Sequence, residues 1–191
     1  YVNVAALRQH IAPDERIHGI IVDGGQKANI VPERAEALWY ARSPTRARLD
    51  DLKQRLQACL EAGAAAAGCA MEHEWIQPSY DDVLDSRTVL DAYLANARAL
   101  GRDPRPDSEV AIVGSTDLGN LSYLVPSIHP MIKAAPDDVG IHTVAFAAYA
   151  GGPEGDRAVL DGAKAMAMTL VDCWTEPNLL DAAAAELAAA R

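Results

Sequence analysis

Over the first eighty residues, strand-like and helix-like patterns follow one another in an order that limits which folds the chain can adopt. The segment RIHGIIVDGG, rich in β-branched residues and closed by Gly24–Gly25, predicts a strand. AEALWYAR predicts a second strand, and CAMEHEWIQ, which ends at Pro78, predicts a third. Between the last two strands, Ser43 as a cap, Pro44 at the first helical position and leucines at helical spacing predict a helix that ends at Gly68.

Residues 1–11 predict a further helix, so the predicted order is helix, strand, strand, helix, strand. This order is that of a β-α-β-β-α-β ferredoxin-like unit without its first strand. Tyr1 also lies inside an apolar-periodic stretch that no capping residue precedes. We therefore expect residues 1–80 to form an incomplete α+β domain, and the chain to be a fragment or the product of a split or trimmed gene.

Helical patterns dominate after residue 80 and predict a second domain over residues 81–191. Residues 86–100 predict a helix that ends at Gly101, and Pro153 opens a long helix. MIKAA has a strand-like pattern, and VAIVG is a short apolar run. We expect the buried face of the long helix to consist of these apolar side chains: Val159, Leu160, Ala163, Met166, Ala167, Leu170, Val171 and Trp174.

Composition excludes several classes of partner. Half of the 191 residues are hydrophobic, which is enough for a core, and the net charge is -10. Such an acidic chain lacks the basic stripe of a nucleic-acid binder and is not suited to an anionic membrane surface. No apolar run reaches the roughly 20 residues of a spanning helix. The three cysteines are widely spaced, which indicates reduced thiols in a cytoplasmic protein.

His142, in the segment GIHTVAF, is the histidine most open to a chemical role. It follows an acidic loop and precedes a helical pattern, so it can be a metal ligand, a catalytic base or a helix cap. No HExxH or CxxC motif accompanies it, and one histidine does not make a metal site. The other histidines fit ordinary positions: His18 in a strand, His129 packed in a loop, and His10 and His73 on the surface.

Two further segments have polar residues with more than one interpretation. In GSTDLGN, Gly114, Ser115 and Thr116 can bind a carboxylate or phosphate through backbone N–H groups, or can simply form a tight turn. Asn29 can hold a turn, and Arg42 can pair with an acidic surface residue. The residues alone leave these alternatives open.

The segments IHGIIVDGGQKANIVPERAEALWYARSPT, GSTDLGNLSYLVPSIHP and IHTVAF together resemble the zinc aminoacylase and carboxypeptidase G family of metallopeptidases and amidohydrolases. The similarity is greatest to the branch that holds the aminobenzoyl-glutamate utilisation proteins and the dipeptide amidohydrolases. The resemblance implies an α/β catalytic domain with a pair of zinc ions and an inserted ferredoxin-like lid that forms a homodimer. Residues 1–80 would be most of the lid, and residues 81–191 the C-terminal part of the catalytic domain.

The resemblance also assigns roles to residues. His142 matches the C-terminal metal-binding histidine, and Asn29 and Arg42 match lid residues that grip the substrate carboxylate or carbonyl, typically from the partner protomer. Gly114, Ser115 and Thr116 match the turn that lines the substrate pocket. The remaining zinc ligands and the general base have no counterpart in this chain, so none of its residues is predicted to be catalytic. The acidic residue that usually follows the His-Thr pair is replaced by Val144 and Ala145.

Two functions from different classes follow from the resemblance. The first is a zinc-dependent amidohydrolase or peptidase that cleaves an amide, dipeptide or aminobenzoyl-glutamate type of substrate beside a free carboxylate, with this chain inactive by itself. The second is a non-catalytic dimerisation or ligand-binding module derived from such an enzyme. An unrelated α+β binder of small molecules would leave the ordered match of three motifs unexplained.

Overall fold

The computed structural model describes residues 1–105 and 114–190, and the chain divides into unit 1, Tyr1–Asp82, and unit 2, Val83–Arg191. Unit 1 contains helix α1 (Val2–Leu7), strands β1 (Arg16–Asp23) and β2 (Glu36–Arg42), and helix α2 (Arg46–Ala66). Unit 2 contains helices α3 (Arg87–Ala99), α4 (Leu118–Ser122), α5 (Val144–Ala150), α6 (Pro153–Thr175) and α7 (Pro177–Ala190). The mixture of helices with a small sheet agrees with an α/β class.

β1 and β2 form an antiparallel hairpin whose inner face lies on the core of unit 1. Alternate residues of a strand point to opposite faces, so Ile17 points inward and is 1% exposed, and Trp39 and Ala41 pack against the same core cluster. The helices contribute Val4, Leu7, Leu52 and Leu56 to this cluster.

Trp39 packs directly over Gly19, its cross-strand partner. A Cβ atom at Gly19 would clash with the Trp39 ring, so glycine is required for this contact. The aromatic ring thereby covers the position where β1 has no side chain.

Helix α2 begins later than the sequence predicts. Its N-cap is Thr45, whose hydroxyl accepts a hydrogen bond from the Arg48 backbone N–H, so Pro44 precedes the helix. The cap assigned to Ser43 is wrong, because the Ser43 hydroxyl donates to the Glu15 carboxylate at 3.2 Å instead. The predicted end at Gly68 is confirmed: Ala67 is the C-cap and Gly68 has a φ of +68°, which favours glycine.

The predicted third strand is not formed among the described residues. Residues 69–77 pair with neither β1 nor β2, and the sheet described has two strands. Within this segment Trp75 packs against the core of unit 1, and the Lys53 ammonium lies 5.1 Å from the centre of its ring. The segment is therefore held by the side chain of Trp75 rather than by backbone pairing.

In unit 2, α3 packs against α6 and α7, with Tyr93, Leu94, Ala97 and Ala165 forming a buried cluster. The predicted helix and its end at Gly101, with a φ of +77°, are confirmed. MIKAA forms no strand in the part of the chain that is described, and residues 110–113 of VAIVG lie outside the described residues.

A carboxylate from α7 caps the first turn of α3. Glu186 accepts hydrogen bonds from the backbone N–H groups of Arg87 (2.7 Å) and Thr88 (3.1 Å) and from the Ser86 hydroxyl (3.1 Å). Partial burial acts to raise the pKa of Glu186, but these hydrogen bonds to its ionised form lower the pKa below its ordinary value. The cap joins two helices that are far apart in sequence.

The buried face of α6 is not the one predicted. The residues that α6 buries are small or polar: Gly155, Ala158, Asp161, Ala165 and Thr169. Small side chains let α6 approach α3 closely, and Asp161 accepts a hydrogen bond from Arg102 Nε at 2.8 Å. The bulky residues point away, with exposed fractions from 49% at Leu170 to 72% at Trp174. Periodicity identified an apolar face of α6, but the prediction that this face is buried is wrong. None of the described helices has the length and apolar character needed to cross a membrane.

Replacing Leu56 and Leu160 by alanine should separate the two kinds of apolar position. Leu56 is fully buried, so Leu56→Ala should lower the free energy of unfolding by about 2–5 kcal/mol. Leu160 on α6 is 60% exposed, and Leu160→Ala should cost less than about 1 kcal/mol. Denaturant unfolding followed by circular dichroism measures both. Equal losses would mean that the bulky face of α6 is buried in solution.

The Glu186 cap should make stability depend on pH. Because its pKa is lower in the folded chain, the stabilisation by Glu186 is complete above the unfolded pKa and is lost as the pH falls through the folded pKa. Glu186→Gln should reduce the free energy of unfolding by about 1 kcal/mol at pH 7, and the difference from the native chain should shrink between about pH 5 and pH 3. Thermal unfolding across this range tests the prediction, with the exposed Glu72 replaced by Gln as the control. A difference that is constant with pH would contradict it.

Candidate functional site

Arg42 ends β2 on the outer face of the hairpin, away from the core. Its cross-strand partner is Arg16 of β1, so two arginines lie directly opposite each other on the same face. Arg42 is exposed and makes no ion pair or hydrogen bond through its guanidinium to any other residue of the described chain. The alternative that Arg42 pairs with an acidic surface residue is therefore not what the structure has.

Asn29 lies in the loop between the two strands, at the other end of the hairpin from Arg42. The loop begins with an Asx turn, in which the Gly25 N–H donates to the Asp23 carboxylate at 2.9 Å, and a later turn is closed by Ile30 N–H to Lys27. The seven residues of β2 extend about 20 Å, so the structure does not bring Asn29 and Arg42 together. Two such side chains cannot grip one carboxylate from the same hairpin.

Gly114, Ser115 and Thr116 lead into the short helix α4. The Thr116 hydroxyl accepts a hydrogen bond from the Leu118 N–H at 3.2 Å, and the Gly119 N–H donates to the Thr116 carbonyl. Gly114 and Ser115 are exposed. Thr116 thus makes a local turn, while the two residues before it remain accessible to a ligand.

His142 directly precedes the N-cap of α5 and is exposed. It has a φ of +64°, in the left-handed region that costs a non-glycine residue conformational free energy. The next residue, Thr143, is the cap: its hydroxyl accepts from Phe146 N–H at 3.1 Å and donates to the Gly140 carbonyl at 2.8 Å. His142 therefore does not cap the helix itself, and its imidazole is available for another role.

The described residues supply only part of a metal site. No group of three or more His, Cys, Asp or Glu side chains in residues 1–105 and 114–190 is arranged to hold a metal ion. His142 can offer one neutral imidazole, a suitable zinc ligand, but a zinc site needs at least three protein donors. The described residues fit one position of such a site and not the whole of it.

Glu15 is a buried carboxylate that none of the sequence motifs marks. It is 6% exposed, and it accepts hydrogen bonds from the Ala12 N–H (2.9 Å) and the Ser43 hydroxyl (3.2 Å) and lies 3.3 Å from the Arg48 guanidinium. Ser43 follows Arg42, so this network fixes the end of β2. An acidic residue directly before an apolar strand was the signal available in the sequence.

Asp14 forms the second acidic contact of Arg48. Its carboxylate accepts two hydrogen bonds from the Arg48 guanidinium, at 2.6 and 3.0 Å, and this side-chain hydrogen bonding lowers the pKa of Asp14. A shallow open depression of about 500 Å³ lies beside this pair, between α2 and the connection from α1 to β1. None of the site residues predicted from the sequence lines it.

Two known proteins are similar to almost the whole chain. The mouse Xaa-Arg dipeptidase is 37% identical over 185 residues, and the human Xaa-Arg dipeptidase is 36% identical over 183 residues. Each match covers 95% of this chain and 42% of the relative, so the chain spans less than half the length of the curated relatives it matches. No protein-family model matches the chain. The two matches confirm the resemblance to hydrolytic peptidases and do not distinguish between branches.

The left-handed conformation of His142 should make this position favour glycine over a β-branched residue. His142→Val should be less stable than His142→Gly by about 1–2 kcal/mol, because a branched Cβ clashes with the backbone at a φ of +64°. The midpoint of thermal unfolding measures the difference. The same two substitutions at His129, whose φ is not positive, serve as the control and should not favour glycine in this way. Equal stabilities at position 142 would show that His142 is not held in this conformation.

Proposed function

We propose that this chain is part of a hydrolytic peptidase that cleaves dipeptides beside a free carboxylate. The observation that carries the proposal is the match to two proteins named Xaa-Arg dipeptidase, at 37% and 36% identity, over 95% of the length of the chain. These relatives are more than twice as long as the matched segment, so we assign the activity to the complete protein rather than to the residues described above. N-acyl amino acids and aminobenzoyl-glutamate are related amide substrates of the same chemical type.

His142 is the residue that we assign to zinc. Zinc, when bound, would activate water and polarise the amide carbonyl, as it does in other hydrolases. The role of His142 is to present one imidazole nitrogen from a fixed backbone position before α5, while Thr143 satisfies the N-terminus of the helix. The other donors and the general base are not assigned to residues of this chain.

Arg42, Asn29 and the turn at residues 114–116 are assigned to substrate. A guanidinium binds a carboxylate through two parallel hydrogen bonds, and Arg42 has no competing partner in the described chain. Asn29 lies too far along the hairpin to share that ligand, so it would serve another group or the site of a second protomer. Unit 1 would act as the lid and dimerisation domain of a cytoplasmic homodimer, with a ferredoxin-like sheet completed beyond β1 and β2, and unit 2 as part of the catalytic domain.

The second function is a non-catalytic ligand-binding or dimerisation module. It is favoured by the absence of any group of three metal-binding side chains among the described residues. In that case Arg42 would still bind a carboxylate, but nothing would be hydrolysed. The two functions therefore differ in turnover and in metal content rather than in ligand.

Replacing His142 should remove zinc and activity together. In the complete protein, His142→Ala should lower the bound zinc measured by atomic emission and reduce dipeptide hydrolysis more than about 100-fold, since even residues that only support zinc ligands are worth 10–100-fold. His73→Ala is the matched control, because His73 is also exposed and should leave both quantities unchanged.

Full zinc content with an unchanged rate in His142→Ala would refute the metal assignment. Dipeptide binding without hydrolysis by the native complete protein would favour the non-catalytic module instead. The purified 191-residue chain is a useful negative control, because it should not turn over substrate.

A further inference from the structure

The outer face of the β1–β2 hairpin concentrates positive charge in an acidic protein. Arg16 and Arg42 are direct cross-strand partners, although the chain as a whole has a net charge of -10. Like charges directly opposite each other in an antiparallel pair destabilise the sheet. Neither arginine forms an ion pair with a carboxylate in the described part of the chain. The fold therefore keeps a repulsive pair that it does not neutralise.

The two acidic residues that directly precede β1 already have other partners. Asp14 is within electrostatic range of Arg16, but both of its carboxylate oxygens bond the Arg48 guanidinium. The Glu15 carboxylate is buried and bonds Arg48 and Ser43. Acidic side chains beside the hairpin are thus tied to α2 and the end of β2, and the outer face retains its charge.

One nitrogen of Arg16 is anchored by the backbone. Arg16 Nη1 donates to the Glu15 carbonyl at 2.6 Å and to the Pro13 carbonyl. These contacts hold the guanidinium at the entrance to β1 without cancelling its charge, since carbonyls are neutral. The remaining N–H groups of the fork have no partner among the described residues.

The next cross-strand pair on the same face is also polar. His18 is opposite Tyr40, and both are exposed, with Tyr40 58% accessible to solvent. Neither side chain has a hydrogen-bond partner in the described part of the chain, whereas the inner face of the same strands is filled by Ile17, Trp39 and Ala41. The core therefore does not require any of the four outer residues.

We propose that Arg16 and Arg42 together bind a carboxylate group, with His18 and Tyr40 beside them as hydrogen-bonding neighbours. Two guanidinium groups on adjacent strands suit a planar anion with two oxygens, and binding would relieve the repulsion between them. Arg16 is the new element, a further residue that determines specificity for the carboxylate of the substrate. In that reading the inference rests on the proposed function, but carboxylate binding can be tested without any hydrolysis.

The test uses the 191-residue chain and two small probes. Amide ¹H–¹⁵N NMR spectra are recorded during titration with N-acetylglycine and, separately, with N-acetylglycinamide, which lacks the charged carboxylate, at constant ionic strength. We expect saturable shifts at residues 16–18 and 40–42 with the acid alone, with a Kd of roughly 1–10 mM because the site is exposed.

Variants separate a defined site from a general charge effect. Arg16→Gln and Arg42→Gln should each weaken binding at least about five-fold, and Arg16→Lys should fall between, since it keeps the charge and loses the fork. Arg34→Gln is the matched control, because Arg34 is exposed on the same hairpin but pairs with Glu36 at 3.1 Å. Unchanged amide shifts at Gly19 and Trp39 would show that each variant keeps the hairpin.

Several results would overturn the proposal. These are the absence of saturable shifts, equal shifts with acid and amide, unchanged binding in Arg16→Gln, or a loss in Arg34→Gln as large as in Arg16→Gln. Carboxylate binding at the hairpin in a complete protein that hydrolyses no dipeptide would refute the peptidase and leave this site standing. Unchanged hydrolysis and unchanged carboxylate binding in Arg16→Gln would refute the role of Arg16 and leave the peptidase standing.

Discussion

The antiparallel pairing of β1 with β2 determines which side chains of unit 1 reach solvent. Its register puts Ile17, Trp39 and Ala41 on the core and leaves Arg16 and Arg42 together on the other face. A shift of one strand by one residue would turn its outward side chains inward and bury one of the two arginines. Packing of Trp39 over Gly19 opposes such a shift, because no other residue of β1 leaves room for the ring. The core thus fixes the position of the charged pair.

Glu15 links the hairpin to the helices of unit 1. A carboxylate that is 6% exposed is costly unless it is paired, and here an amide, a hydroxyl and a guanidinium satisfy it. Its partners come from the connection after α1, the end of β2 and the first turn of α2. One buried acid therefore holds together three segments, one of which begins directly after Arg42.

Local signals in the sequence predicted where helices end but not what covers them. Gly68 and Gly101 were identified as helix ends because a residue with positive φ favours glycine at any position in a fold. The apolar stripe of α6 was also identified, but its small residues at Ala158 and Ala165 proved to be the packed side. Periodicity shows only that a face is apolar. Which face is buried depends on how closely two helices pack, and close packing favours small residues. The pairing of Arg16 with Arg42 was missed for a related reason, since register depends on the loop and the core together.

Two residues singled out by resemblance sit where the fold is locally unfavourable. His142 adopts a left-handed conformation, and Arg42 lies opposite a like charge with no partner in the described chain. Each arrangement lowers stability, and proteins tend to retain such conflicts at sites that do something else. Thr116 differs, because its hydroxyl is satisfied inside its own turn. His142 and Arg42 therefore occupy positions whose local cost a function would explain, and Arg16, which no sequence motif had marked, shares that cost as the cross-strand partner of Arg42.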